Sequence, residues 1–129
     1  MTDPISDLLT RIRNAGAVKQ EFTDIPYSKV KLKIIEILLA EGFISDFKKL
    51  KKQDKKFMRV FLKYEKGEFK ITGIKRVSTP GQRIYKKYKE LKTIRGGFGF
   101  SIVSTSKGII LGSEARKQKL GGEVIAEIW

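Results

Sequence analysis

Residues 57–81 read FMRVFLKYEKGEFKITGIKRVSTPG, and this stretch decides the fold. The side chains of residues 57–64 alternate with a period of two, which is typical of a half-buried β-strand. A turn around Gly67 separates them from a second predicted strand at residues 69–78. The residues STPG at 78–81 then favour a turn. We therefore place a domain boundary within this stretch.

Upstream of the boundary, helical and extended patterns alternate. Asp3-Pro4 and Ser28 each predict the start of a helix, and Gly42 predicts the end of the second. A short extended segment, residues 21–25, lies between the two helices. The predicted apolar stripe of the second helix consists of Val30, Ile34, Ile37 and Leu38, and Leu32, Ile35 and Leu39 widen it. From Phe43 the period of the pattern changes to two, which is typical of strands. The N-terminal domain, residues 1–66, is therefore predicted to be α-β-α-β-β.

Downstream of the boundary, the sequence is richer in glycine and the predicted strands are shorter. Strands are predicted at residues 98–103, 109–111 and 123–129. Ser113 is predicted to cap a short helix that Gly121-Gly122 ends. The C-terminal domain, residues 67–129, is therefore mostly β with one short helix. The fold class is α+β, with two small α/β domains packed together.

The charge balance indicates a polyanionic partner. The chain carries 28 Lys and Arg against 14 Asp and Glu, a net charge of +14. Self-repulsion at this charge density is relieved when a polyanion lies nearby. Nucleic acid is favoured over the two alternatives, an anionic membrane and an acidic protein.

Several classes of function are disfavoured by the composition. The chain has no Cys and no His, which removes thiolate and imidazole nucleophiles and nearly all zinc sites. We expect no enzyme, no cofactor, no metal site and no membrane association. No signal peptide is evident, so we expect a cytoplasmic protein. A metal-dependent nuclease stays open as an alternative, but its candidate carboxylates lack a ligand-like spacing. They are Asp3, Asp7, Asp24, Asp46 and Asp54.

Two basic segments of the chain differ in composition. Residues 48–56 hold six lysines and one Asp, which predicts a solvated hairpin tip. We expect this tip to attract a polyanion through its general electrostatic field and not through specific contacts. Residues 83–95 interleave Lys and Arg with Tyr85 and Tyr88, and that combination suits phosphate contact together with base stacking. The alternative is that both tyrosines lie in the core.

Residues 95–100, RGGFGF, resemble the aromatic motif of the RNA recognition motif fold with one extra glycine. That fold follows a βαββαβ order, whereas this chain begins with a helix. We therefore interpret the segment as a glycine turn that enters a buried strand, with Phe98 and Phe100 in the core.

A serine-rich turn at residues 104–108, STSKG, lies between two apolar strands. The spacing of a phosphate-binding P-loop is not met, because glycine follows the lysine. Hydroxyls both donate and accept hydrogen bonds, so they can contact phosphates, 2′-hydroxyls and base edges. Gly121-Gly122-Glu123 favours a helix end followed by a tight turn. A carboxylate such as that of Glu123 on an RNA-facing surface would accept from base amino groups and would penalise indiscriminate phosphate binding.

Together these segments resemble the small-subunit ribosomal protein S-eight family in its bacterial form. The most specific match is VSTSKG at 103–108 followed by LGGE at 120–123. Supporting matches include LTRIRN at 9–14, EGFI at 41–44 and RIYK at 83–86. They run in order from residue 3 to residue 123.

The resemblance implies a ribosomal role. It implies primary binding to the central domain of 16S rRNA, organisation of the platform of the 30S subunit during assembly, and ribosomal proteins S-five and S-twelve as neighbours. Some members of the family also repress translation of their own operon mRNA. The implied main RNA-binding residues are Tyr85, Lys86, Ser104, Thr105, Ser106, Lys107, Gly122 and Glu123. The implied secondary RNA-binding residues are Arg11, Arg13, Asn14, Lys29 and Lys31. A sequence-specific DNA-binding module stays as the other alternative, although the apolar helices offer no obvious exposed recognition face.

Overall fold

A computed structural model of the chain describes residues 3–129. The fold is α+β, as predicted, and it divides into two compact units. The N-terminal unit comprises residues 4–71, and the C-terminal unit comprises residue 3 with residues 72–129. The predicted boundary between residues 66 and 67 falls inside a short hairpin of the N-terminal unit, whose strands pair Tyr64 with Phe69.

The N-terminal unit has the predicted order of helices and strands, followed by that short hairpin. Its elements are α1 (Pro4–Ala17), β1 (Phe22–Pro26), α2 (Lys29–Ala40), β2 (Ile44–Lys52), β3 (Lys55–Leu62), β4 (Tyr64–Glu65) and β5 (Glu68–Phe69). Three strands form an antiparallel sheet in the order β1-β3-β2. The predicted alternation of β3 is confirmed, because Met58, Val60 and Leu62 are buried.

Helix α2 begins where the sequence predicts. The Ser28 hydroxyl accepts a hydrogen bond from the backbone N–H of Lys31 at 3.1 Å, which satisfies one of the free donors of the first turn. Gly42 follows the helix with a φ of +78°. The predicted apolar stripe is partly wrong, because Val30 is 43% exposed and Lys31 is only 6% exposed. Ile34, Ile35 and Leu38 are buried as predicted, and Lys31 takes the inward place expected of Val30.

The opposite face of β3 carries an arginine packed between aromatic rings. The Arg59 guanidinium lies 4.2 Å from the centroid of the Phe22 ring and donates to both carboxylate oxygens of Asp24, at 2.9 and 3.1 Å. This hydrogen bonding raises the pKa of Arg59 still further above its already high ordinary value. The bidentate geometry fixes β1 against β3.

The C-terminal unit is mostly β, as predicted. Its elements are β6 (Ile74–Arg76), β7 (Tyr85–Lys86), β8 (Phe100–Thr105), β9 (Gly108–Leu111), α3 (Gly112–Lys117) and β10 (Gly122–Ile128). Strand β10 is central, since it pairs with β8 on one side and with β6 and β7 on the other. The core beneath this sheet contains Leu91, Val103, Ala115 and Val124.

The prediction of one continuous strand at residues 69–78 is wrong, because residues 70–73 are not in a strand. Phe69 belongs to the N-terminal unit, where its ring lies against Gly16, while Ile74 pairs with β10 in the C-terminal unit. The chain passes from one unit to the other between these two residues, so it cannot stay in one sheet. Gly73 exchanges backbone hydrogen bonds with Trp129, both at 3.0 Å.

The predicted limits of α3 are also wrong. The helix begins at Gly112, so Ser113 lies in its first turn and does not cap it. The helix ends at Lys117, four residues before Gly121. Lys119 adopts a φ of +56°, and the N–H of Leu120 bonds back to the Ala115 carbonyl at 2.8 Å. This lysine therefore takes the left-handed position at which glycine is usual.

Phe98 and Phe100 have opposite environments, although both are predicted to be buried. Phe100 is 8% exposed, whereas Phe98 is 85% exposed. Phe98 directly follows a 3₁₀ turn at Arg95–Gly97 in which all three residues have a positive φ. This turn projects the Phe98 ring out of the fold.

We therefore expect the two phenylalanines to differ sharply in their contribution to stability. Phe98→Ala should change the free energy of unfolding by less than about 0.5 kcal/mol, because the ring lies in solvent. Phe100→Ala should cost about 3–5 kcal/mol, because it leaves a buried cavity. Urea unfolding of the two variants measures the difference. Equal losses would contradict the exposed placement of Phe98.

Candidate nucleic-acid interface

Strand β10 brings together three of the predicted RNA-binding residues. Glu123 is directly opposite Ser104 on β8 and directly opposite Tyr85 on β7. Directly paired residues of antiparallel strands project to the same face, with Cβ atoms about 4.5–5.5 Å apart. Ser104, Glu123 and Tyr85 therefore form a row across three strands. Gly122 pairs with Lys86 next to this row.

The serine-rich turn is the tip of the β8–β9 hairpin, where Thr105 pairs with Gly108. The Thr105 hydroxyl donates to the Gly108 carbonyl at 2.9 Å and accepts from the Lys107 N–H at 3.1 Å. It is therefore already used inside the turn, where it holds the tip in shape. Ser106 and Lys107 are exposed, and Ser104 is half-buried.

The two tyrosines of the basic segment have different accessibility. Tyr85 is 70% exposed, so its ring is not part of the core. Tyr88 is half-buried in a 3₁₀ turn that follows β7. A groove of about 480 Å³ lies between this segment and the start of β10. It is lined by Tyr85, Lys86, Lys87, Tyr88, Glu90, Gly121 and Gly122.

The basic segment is held against β10 by a buried hydroxyl. Ser78 is fully buried, and its Oγ accepts from the Ile84 N–H at 2.8 Å. The N–H of Val124 donates to the Ile84 carbonyl at 2.9 Å. These bonds place residues 83–86 along the edge of β10 and so fix where Tyr85 projects.

Glu123 is paired with a cation that the predicted site lacks. Its side chain is 17% exposed, and Oε2 lies 3.1 Å from Nη1 of Arg83. The sequence marks Arg83 as one of several basic residues, but only the strand register brings it to this carboxylate. The ion pair holds the Glu123 carboxylate in a fixed position within the row of Ser104, Glu123 and Tyr85, among basic side chains.

Two glycines allow the strands of the site to approach closely. A Cβ on Gly122 would collide with the backbone carbonyl of Ser104, and one on Gly121 would lie 2.7 Å from the Lys86 carbonyl oxygen. The sequence interpretation of these glycines as a helix end is wrong, since α3 ends before them. They are required because the backbone of β10 packs directly on its neighbours.

The predicted secondary residues lie in the N-terminal unit. Arg11, Arg13, Asn14 and Lys29 are exposed, whereas Lys31 is buried. Arg11 is held by Asp7 at 3.0 Å and donates to the Asp24 carbonyl at 3.1 Å. Arg11 and Lys29 can therefore present charge at the surface, and Lys31 can present little.

Within residues 3–129, no group of acidic, His or Cys side chains could hold a metal ion. No helix in the same range is long and apolar enough to cross a membrane. The surface that the predicted main residues form is thus made of hydroxyls, a phenol ring, ammonium groups and one paired carboxylate. Groups of these kinds can donate and accept hydrogen bonds, stack on a flat ring and contact a phosphate.

Comparison with known proteins identifies the family to which the chain belongs. The family model described as "Ribosomal protein S8" matches residues 3–129. Proteins named "Small ribosomal subunit protein uS8" from Halalkalibacterium halodurans and Exiguobacterium sibiricum are 52% and 53% identical, over 100% of this chain and 98% of each relative. A protein of the same name from Bdellovibrio bacteriovorus is 53% identical over 98% of this chain and 99% of its own length. The chain therefore belongs to the Ribosomal protein S8 family, as a structural component of the ribosome in the cytoplasm rather than an enzyme.

Proposed function

We propose that the chain is a primary binder of the central domain of 16S rRNA and that it organises the platform of the 30S subunit during assembly. The binding surface is made of Tyr85, Lys86, Ser104, Ser106, Lys107, Gly122 and Glu123, which we call the serine–tyrosine surface. The observation that carries the proposal is the row of Ser104, Glu123 and Tyr85 across three paired strands. Thr105 supports this surface from inside the turn.

The chemistry of the surface suits an irregular RNA helix with accessible bases. Ser104 and Ser106 can donate to phosphates and base edges and accept from 2′-hydroxyls. The exposed Tyr85 ring offers a flat face to an unstacked base. Glu123 can accept from a base amino group, and it repels a phosphate placed at the same point. The surface therefore selects RNA shape instead of attracting any polyanion equally.

Further contacts follow from the same proposal. Arg11, Arg13, Asn14 and Lys29 touch a second RNA segment, with Lys31 left out because it is buried. Ribosomal proteins S-five and S-twelve are neighbours in the subunit. Operon mRNA that presents the same irregular helix binds the serine–tyrosine surface, which makes translational repression a consequence of the same recognition.

Hydroxyl-radical footprinting of the full chain on 16S rRNA tests the function. We expect protection confined to an irregular helix of the central domain and retained when duplex DNA is added in excess. The duplex competes only for the charge-driven part of the binding. Protection scattered over all domains, or abolished by the duplex, would contradict the proposal and would favour a general nucleic-acid binder.

A further inference from the structure

The lysine hairpin, residues 48–56, is the most densely charged part of the N-terminal unit. It is the distal half of β2 and β3, joined by Gln53 and Asp54, which have φ values of +51° and +63°. All six lysines are exposed. Asp54 is the only acid within residues 48–56, and it pairs with Lys51 at 3.7 Å through a carboxylate that is almost fully in solvent. Such a pair offsets little of the positive charge.

The strand register sorts these lysines onto two faces. Lys51 pairs with Lys56, and Lys49 pairs with the buried Met58, so these three lysines share the face that continues from the core. The opposite face carries the other three lysines. They are Lys48, Lys52 and Lys55.

The two faces have different surroundings. On the first face, the Tyr27 N–H donates to the Lys56 carbonyl at 3.2 Å, and the Lys56 ammonium lies 5.9 Å from the centroid of the Tyr27 ring. A groove of about 300 Å³ is present there. It is lined by Tyr27, Lys49, Lys51 and Lys56 of this face, and also by Leu50 and Phe57, which the register places on the opposite face. On the second face, Lys48 is placed over the Phe61 ring, with its ammonium 5.5 Å from the centroid.

We propose that the Tyr27 face of the lysine hairpin, formed by Tyr27, Lys49, Lys51 and Lys56, is a second RNA-binding site that takes a phosphodiester backbone. The three ammonium groups bind successive phosphates, and the Tyr27 ring contacts a base or ribose of the same strand. Cations that follow a groove beside an aromatic ring are the combination used for single-stranded nucleic acid. This inference rests on the proposed function, because the RNA partner is the same ribosomal RNA.

An acidic protein is the weaker candidate for this face. Lys49 and Lys51 are two residues apart on one strand, about 6.8 Å along it, and the third ammonium extends the same patch from β3. A phosphodiester chain supplies negative charge continuously along such a line, and no apolar anchor residue is exposed on this face. Protein interfaces concentrate their binding energy in buried aromatic and arginine anchors. The Tyr27 face offers three exposed lysines and one half-buried ring, and the apolar Leu50 and Phe57 that also line the groove are half-buried and project to the opposite face.

Two variants with equal charge loss test the proposal in the full chain. The first combines Lys49→Gln, Lys51→Gln and Lys56→Gln, and the second combines Lys48→Gln, Lys52→Gln and Lys55→Gln. The measurement is the dissociation constant for a 16S rRNA central-domain transcript between 50 and 200 mM KCl. Since a general field weakens equally in both variants, only direct phosphate contact separates them.

We expect the first variant to lower the slope of log affinity against log salt by about 2.1–2.7, because three phosphate contacts are lost at roughly 0.7–0.9 each. Between 50 and 200 mM KCl the affinity of every chain falls by some factor. In the first variant this factor should be about 20- to 40-fold smaller than in the parent chain. The second variant should change the slope by less than half as much. Tyr27→Leu should weaken binding of the transcript, whereas Tyr27→Phe, which keeps the aromatic ring, should bind as the parent chain does.

Equal slope changes in the two variants would overturn the assignment to the Tyr27 face, and an unchanged slope in both would overturn the site. Competition by polyglutamate that equals competition by single-stranded RNA, and that the first variant abolishes, would assign the face to an acidic protein instead. Ser104→Ala with Ser106→Ala separates this inference from the proposed function. If those serines prove irrelevant while the lysine result stands, the second site survives and the main site fails.

Discussion

Gly122→Ala is expected to lower the affinity for central-domain 16S rRNA by at least about tenfold and to destabilise the chain by about 1–3 kcal/mol. The added Cβ would collide with the Ser104 carbonyl, which belongs to the backbone and cannot rotate away. Relief requires β8 and β10 to separate where Ser104 is opposite Glu123. The substitution therefore disturbs the row that the proposed RNA binding requires, although it removes no polar group.

Gly81→Ala is the matched control. Gly81 lies in the turn that the backbone hydrogen bonds between Thr79 and Gln82 close, and no atom lies within 4 Å of a Cβ built on it. This variant should leave both RNA affinity and the free energy of unfolding within about 0.5 kcal/mol of the parent chain. Urea unfolding and filter binding measure the two effects. A Gly122→Ala variant that matched Gly81→Ala in both would show that the close strand approach has no role in the site.

The elements that follow from local rules are predictable from the sequence. Ser28 begins α2 because its hydroxyl can reach a free N–H of the first turn, whatever the helix later packs against. The alternation along β3 survives because the pleat of a strand sends successive side chains to opposite faces. The lysine hairpin is likewise found where the charge run predicts a hairpin tip.

The errors occur where tertiary packing decides. Val30 and Lys31 are neighbours on α2, and periodicity alone favours burial of the apolar one, yet the helix turns Lys31 inward along with Ile34. Phe98 is apolar and follows glycines, but the positive φ angles of residues 95–97 direct it outward. Neither the rotation of a helix on its sheet nor the direction of a glycine-rich turn is encoded in hydrophobic periodicity.

The sequence predicts which residues form the candidate site but not how they are arranged in space. Tyr85, Ser104 and Glu123 lie far apart in sequence, and only the register of β10 with β7 and β8 aligns them. The partnership of Arg83 with Glu123 depends on the same register. A register shift between Val124 and Ala126 means that simple alternation along β10 would misplace the residues beyond it.

Ser104→Ala combined with Ser106→Ala is expected to lower specific affinity for the 16S rRNA site by about 10- to 100-fold while leaving affinity for an unrelated RNA unchanged. Each lost hydroxyl removes a hydrogen bond of about 0.5–1.5 kcal/mol, or more where the partner is a charged phosphate. The variant keeps every lysine and arginine, so the charge-driven attraction to any RNA is preserved. Parallel titrations with the two RNAs at one salt concentration measure the ratio.

Thr105 provides the control that separates contact from turn shape. Thr105→Ser keeps the hydroxyl that bridges the Gly108 carbonyl and the Lys107 N–H, and should bind as the parent chain does. Thr105→Val removes that bridge and should weaken specific binding although both serines remain. An equal loss for specific and unrelated RNA in the double serine variant would mean that the turn acts only through general attraction. Full affinity in Thr105→Val would mean that the two serines need no fixed tip, and the row of Ser104, Glu123 and Tyr85 would then select RNA without the hairpin.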